Sequence, residues 1–145
     1  MPRREAAIVI RRPLRTGFPF VANAENTCRF RADVVAVRRM SGTPAAPGAT
    51  YRQIVKFDWR QAEVLLENIE YEPGRTLSFI AHRPGGASMR TTFSFRTIES
   101  EHTRVAVTAE RDSRGRGRLG RQLEKREVEA LGELKRALES RPFSL

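Results

Sequence analysis

Between Ala49 and Glu110 the chain alternates apolar and polar residues with a period of two, and turn-forming clusters interrupt it at Asp58–Gln61, Glu72–Gly74, Pro84–Gly86 and Ser100–His102. Successive side chains of an extended strand point to opposite faces, so this pattern predicts five antiparallel strands joined by short hairpins. Closing the third hairpin at Pro84–Ser88 sets Phe79 opposite Phe93 and Leu77 opposite Phe95; turning the next near Ser100 sets Phe95 opposite Val105 and Phe93 opposite Val107. One face is therefore aromatic and aliphatic. Tyr51, Val55, Phe57, Val64 and Leu66 belong to it, with Gln53 and Asn68 as polar groups among them and Thr91 on the same row.

Such a face needs a cover, and the end of the chain supplies one. From Leu119 to Leu138, at about 100° per residue, Leu119, Leu123, Ala130, Leu131, Leu134, Ala137 and Leu138 fall in one sector, while Arg121, Glu124, Lys125, Glu129, Glu133 and Arg136 are assigned to the polar face. This is an amphipathic helix. Glu127 lies inside its apolar sector, between Leu123 and Leu131, where a carboxylate must be paired, protonated or facing a wet cavity. A Glu in an apolar pocket is a candidate general acid or base; the structural reading is a salt bridge to an inward-reaching arginine such as Arg90 or Arg96, or a rotation that exposes it.

Upstream, Ala6–Arg12 reads as a strand ended by Pro13, which cannot donate to a ladder. Thr16 is placed as the cap of a short helix carrying Phe18 and Val21 inward, with Pro19 in its first turn, and a second short helix over 25–30 presents Phe30. The β-branched segment 32–40 is a further strand and 41–48 a turn-rich loop.

The stretch "RDSRGRGRLGRQ" contains Gly115-x-Gly117-x-x-Gly120 between a strand and a helix. A dinucleotide loop also requires a second parallel strand returning after the helix, and only "ESRPFSL" follows Leu138, so the glycines are read as a solvated hinge into the last helix. Five arginines between Arg111 and Arg121 keep open a different class of function, a basic module contacting nucleic acid or acidic lipid. The net charge of +10 is weak support, since 24 of the 27 basic residues are arginine spread along the chain, a coding preference more than a phosphate surface; nucleic acid is not the favoured partner.

The 145 residues are expected to form a single domain over 1–145. No apolar run approaches a membrane span, the N-terminal apolar stretch is too short for a secretory signal, and a lone Cys28 suits a reducing compartment, so a cytoplasmic protein is expected. No metal site is expected: His82, placed at the surface near a strand end, and His102, in a turn, belong to no cluster of ligand spacing, and Cys28 has no evident base. Trp59, at a hairpin tip, either caps the core edge or marks a contact.

The order of one strand, two short helices, six antiparallel strands and a long helix is that of the helix-grip fold, an α+β architecture in which a curved seven-stranded antiparallel sheet wraps a C-terminal helix. Residues 48–81, "GATYRQIVKFDWRQAEVLLENIEYEPGRTLSFIA", resemble polyketide cyclase/dehydrase-like proteins of the START-like (SRPBCC) superfamily, in which a glycine-led strand precedes one ending in an acidic-aromatic-acidic-proline turn. "PLRTGFPFVANAENTCRF" (13–30) is similar to the family's first helix, and 91–95, "HTRVAVTAE" (102–110) and "LGELKRALE" (131–139) complete the likeness. Phe30 replaces a frequent tryptophan, and "SEHTRV" replaces a paired-glycine turn.

The resemblance implies a pocket between sheet and last helix that holds a hydrophobic or aromatic molecule, polyketide-, lipid- or quinone-like, with no shared catalytic set and no cofactor. The wall residues expected on this basis are Tyr51, Gln53, Val55, Phe57, Leu66, Asn68, Phe79, Thr91, Phe93, Phe95, Leu123, Leu131 and Leu134, with Glu127 as the catalytic candidate of a cyclase/dehydrase form. A carrier would need only the cavity. A homodimer is compatible with either.

Overall fold

The computed structural model describes residues 3–57, 60–82, 88–111 and 118–140, with the backbone alone at 57, 118–120, 122 and 123. Its elements are β1 (Arg3–Ile10), α1 (Leu14–Ala22), a 3-10 helix (Ala24–Arg29), β2 (Val34–Ser41), β3 (Thr50–Phe57), β4 (Arg60–Glu72), β5 (Thr76–His82), β6 (Ser88–Glu99), β7 (His102–Arg111) and α2 (Arg118–Ser140). The strands pair in the order β1-β7-β6-β5-β4-β3-β2, each with an antiparallel neighbour. This curved open sheet gripping α2 is the helix-grip fold.

Period-two alternation is realised most cleanly in β7, where Thr103, Val105, Val107, Ala109 and Arg111 are buried and the residues between them are not. The core lies between this face and α2: Ile10, Leu77, Phe95, Val105 and Val107 meet Leu131, Leu134 and Leu138, and α1 plugs one end with Phe18, stacked edge-on against Phe95 at 5.0 Å. Burying each such side chain contributes about 1.5–3 kcal/mol.

Local departures from the sequence expectations have physical causes. In the third hairpin Leu77 pairs with Phe93 and Phe79 with Thr91, so Phe79 and Phe93 are diagonal neighbours, 6.4 Å between ring centres. The slip is two residues, which preserves every face. The pairs Phe93–Val107 and Phe95–Val105 stand as expected. β1 stops at Ile10, and α1 begins at Leu14 with Pro13 as its cap residue, so Pro19 lies in the helix interior and not in the first turn. Arg15, whose carbonyl loses a donor to the Pro19 ring, is exposed, as is Pro19 itself, and water can serve that carbonyl. Strand β2 begins at Val34 and not at 32, because Arg31 and Asp33 turn inward and pair.

The largest correction concerns Glu124. It is not on the solvent face of α2 but 3% exposed, its two oxygens accepting from Arg4 Nε at 3.0 Å and Arg111 Nε at 2.9 Å. The same contact takes Arg111, itself 8% exposed, out of any basic arm. At the other end of α2, Lys135 Nζ donates to the Val9 carbonyl and to Glu139, and Glu139 accepts from the Arg11 N–H. Gly42 holds φ at +82°, and a Cβ there would lie 2.7 Å from Ala49 Cα, so the 41–48 loop needs glycine where it crosses the start of β3. No described helix is long and apolar enough to cross a membrane.

Candidate functional site

Beside the core, α2 stands off the sheet and a cavity of about 50 Å³ remains. Its sheet wall is Gln53 of β3, Leu66 of β4, Phe79 and Ala81 of β5, and Thr91 and Phe93 of β6. Opposite stand Glu127 and Ala130 of α2, with Val21, Ala24, Thr27, Phe30 and Arg31 closing the side. The alternation explains the sheet wall: Gln53 lies across from Val64, Leu66 across from Tyr51, and Phe79 across from Thr91, all on the inner face. Small residues explain the gap. Ala24, Ala81 and Ala130 stand where larger side chains would fill it.

Gln53 and Thr91 are 6% and 5% exposed, and among the described residues neither side chain makes a hydrogen bond. They are the polar points of an otherwise apolar sheet wall. Asn68, 1% exposed and paired across the ladder with Phe79, likewise has no partner for its amide oxygen or nitrogen among the described residues.

One wall is ionic. Arg31 donates from Nε and Nη2 to the two oxygens of Asp33 at 3.1 and 2.7 Å, a bidentate fork, and from Nη1 to Glu127 Oε1 at 2.8 Å. Burial alone would lower the pKa of this guanidinium, but the charges and hydrogen bonds of Glu127 and Asp33 outweigh it and the net direction is upward, so Arg31 is permanently cationic. Arg126 Nη1 approaches Asp33 at 3.8 Å, so two cations face two carboxylates. The structural reading of Glu127, a salt bridge to an inward-reaching arginine, is met by Arg31 and by neither of the examples Arg90 and Arg96, which a shifted register would have required; Arg90 faces Glu70 at 3.7 Å on the sheet. The pair also ties the segment just after the 3-10 helix to α2, on one side of the cavity.

Of the residues expected at the pocket, Gln53, Leu66, Phe79, Thr91, Phe93 and Glu127 come together around it. Tyr51, Val55, Asn68, Phe95, Leu131 and Leu134 are buried elsewhere on the same inner surfaces. Tyr51 accepts from the Ala45 N–H at 3.1 Å and so steadies a loop residue at φ 66°. The side chains of Phe57 and Leu123, and Trp59, the Pro84–Gly86 turn and the glycines Gly115 and Gly117, lie outside the described residues. Sequence reasoning missed Arg31, Ala81 and Ala130 as wall residues, and with them the side formed by Val21, Ala24, Thr27 and Phe30. Arg31 had a signal, an Arg-x-Asp beside an inward-facing Phe30; the alanines had none, because a void is not a residue property. His82 is exposed, its Nδ1 3.0 Å from Ser88 Oγ, and His102 is half-buried, its Nδ1 3.6 Å from Glu99. Among the described residues no three His, Cys, Asp or Glu side chains converge as metal ligands.

No protein-family model matches the chain, and no curated protein matches it in sequence. Solved structures do. The di-domain ARO/CYC BexL from the BE-7585A biosynthetic pathway aligns over 96% of this chain at 18% identity with a TM-score of 0.77, and this chain spans 47% of that one. The ZhuI aromatase/cyclase from Streptomyces sp. R1128 aligns over 97% of this chain and 96% of its own at 14% identity and TM-score 0.73. Ara h 8.0201 aligns over 97% and 99% at 11% identity and 0.74. The shared feature is the helix-grip fold.

Proposed function

We propose that the chain binds a hydrophobic or aromatic small molecule, polyketide-, lipid- or quinone-like, in the cavity between sheet and α2. The observation that carries this is the pairing of apolar walls with Gln53 and Thr91, buried side chains that make no hydrogen bond among the described residues and are placed to orient a ligand hydroxyl or carbonyl. Two solved structures of this fold are aromatase/cyclases by name, which supports the same ligand class. At about 50 Å³ the cavity accommodates a few waters, each needing roughly 10–15 Å³ on this scale, so a ring system enters by widening it.

The enzymatic form of the proposal, cyclisation or dehydration of a bound polyketide, assigns the proton transfer to Glu127, whose carboxylate lines the cavity with one oxygen held by Arg31. The test begins with native mass spectrometry of protein purified from its own host, for a retained small molecule, followed by titration with a fluorescent anilinonaphthalene probe. Ala130→Phe should weaken probe binding at least tenfold by filling the cavity, and Thr91→Val about threefold to tenfold by removing a hydroxyl partner. Equal affinity in wild type and Ala130→Phe overturns the cavity as the binding site. Glu127→Gln that keeps affinity but loses turnover supports the enzyme; turnover retained in the variant removes Glu127 as the proton-transfer group, and a bound ligand that wild type leaves unconverted supports the carrier.

A further inference from the structure

On the convex face of the sheet, turned away from the cavity, Arg96 of β6 and Arg104 of β7 are direct cross-strand partners. Cα atoms so paired lie about 5 Å apart, and like charges placed opposite one another destabilise a sheet. Neither arginine has an ion-pair or hydrogen-bonding side-chain partner among the described residues. The contrast with their neighbours is informative, because Arg3, Arg52 and Arg90, also on the sheet's outer side, each face a carboxylate: Glu5 at 2.8 Å, Glu63 at 2.7 Å and Glu70 at 3.7 Å. Arg75, from the β4–β5 turn, adds a third guanidinium to the same groove, its contact with Glu72 a loose 3.9 Å. Thr76 and Ser94, themselves cross-strand partners, add two hydroxyls. The groove has a volume of about 310 Å³ and is open to solvent.

We infer that this groove is an anion site for the phosphate group of a small soluble phosphomonoester, distinct from the hydrophobic cavity and independent of it. A phosphate dianion presents three acceptor oxygens, one more than a carboxylate, enough to bridge two guanidinium forks and take hydroxyl donors at once. It also supplies the counter-charge that the Arg96–Arg104 pair lacks. The positive ground is short: Glu72, at the end of β4, lies 3.9 Å from Arg75, and β6 ends at Glu99 soon after Arg96, which suits a single anionic group.

The test is a titration of the intact chain, isotope-labelled, with inorganic phosphate and with phenyl phosphate, followed by backbone amide shifts, with sodium chloride at matched ionic strength as control. Saturable shifts at Thr76, Ser94, Arg96 and Arg104, absent with chloride and weakened at least fivefold in Arg96→Gln and in Arg104→Gln, support the site. Shifts equal to those from chloride, or undiminished in both variants, overturn it. So does binding confined to phosphatidylcholine vesicles carrying phosphatidic acid with no response to either soluble phosphate. Thermal unfolding accompanies each variant: relieving the like-charge pair should leave the midpoint unchanged or raised, and a lowered midpoint in both means the arginines serve the fold, which overturns the proposal as well.

Discussion

Replacing Glu124 by Gln should destabilise the protein more than any other single charge change on α2 outside its buried contacts. The carboxylate is almost fully enclosed, and of its partners Arg111 is 10% exposed in its side chain and Arg4 45%. Breaking a buried pair costs about 3–5 kcal/mol, because the remaining charge is left in a poorly solvating place. Gln keeps one acceptor oxygen and Arg4 can rehydrate, so the lower end, about 3 kcal/mol, is expected. For a chain of this size each kcal/mol moves the midpoint by about 2–4 °C, giving a fall of roughly 6–12 °C. Glu129→Gln, on the exposed face of the same helix, should stay within about 0.5 kcal/mol. Urea unfolding followed by circular dichroism gives both free energies, and repeating it in 0.5 M salt should leave the Glu124 effect nearly intact, since enclosed pairs are little screened. Equal losses in the two variants, or a Glu124 effect that salt abolishes, would show that the carboxylate is solvated and the docking of α2 rests on its leucines alone.

Other outcomes can be checked alongside. Glu139 is held below its ordinary value near 4.5: burial pushes upward, but the Lys135 and Arg11 hydrogen bonds and charges prevail. Its folded-state pKa is thus lower than its unfolded one, so its contribution is present above about 4.5 and is lost as pH falls through the folded value; Glu139→Gln should flatten stability-versus-pH profiles in that acidic window and not near neutrality. Gly42→Ala should cost about 1–3 kcal/mol, because it meets both a positive φ and backbone at 2.7 Å, while Gly48→Ala, at φ +89° with open space around it, should cost about 1 kcal/mol. Comparable losses at the two glycines, measured by denaturant midpoints, would mean that the crossing at Ala49 relaxes.

The fold was legible because its two main signals are periodic. Strand alternation assigns faces even when a hairpin slips: the Pro84–Ser88 turn left the Phe79 register open by two residues, yet Phe79 and Phe93 both reached the inner face. Polar residues inside the core were harder. Glu124 stands seven residues before Leu131 and fourteen before Leu138, on their own helical row, and its assignment to the polar face followed residue type where position pointed inward. Its partners, 120 residues away on β1 and 13 away on β7, could not be inferred from local sequence. Glu127 was recognisable as anomalous for the same positional reason, but Arg31 lies 96 residues away. The cavity was legible only as a set of inward residues. Which of them border empty space depends on Ala81 and Ala130 coming to line one cavity, a tertiary fact.

Both ends of α2 are bolted to the same margin of the sheet, by Glu124 to Arg4 and Arg111 and by Lys135 and Glu139 to Val9 and Arg11. That margin acts as the spine of a book. The opposite cover, the wing of β3 to β5 and the 3-10 helix, is held to the helix through residues 31–33, by Arg31 to Glu127, the Ala32 N–H to Glu133 and Asp33 to Arg126. The seat of the helix and the closing of the chamber therefore rest on different ion pairs.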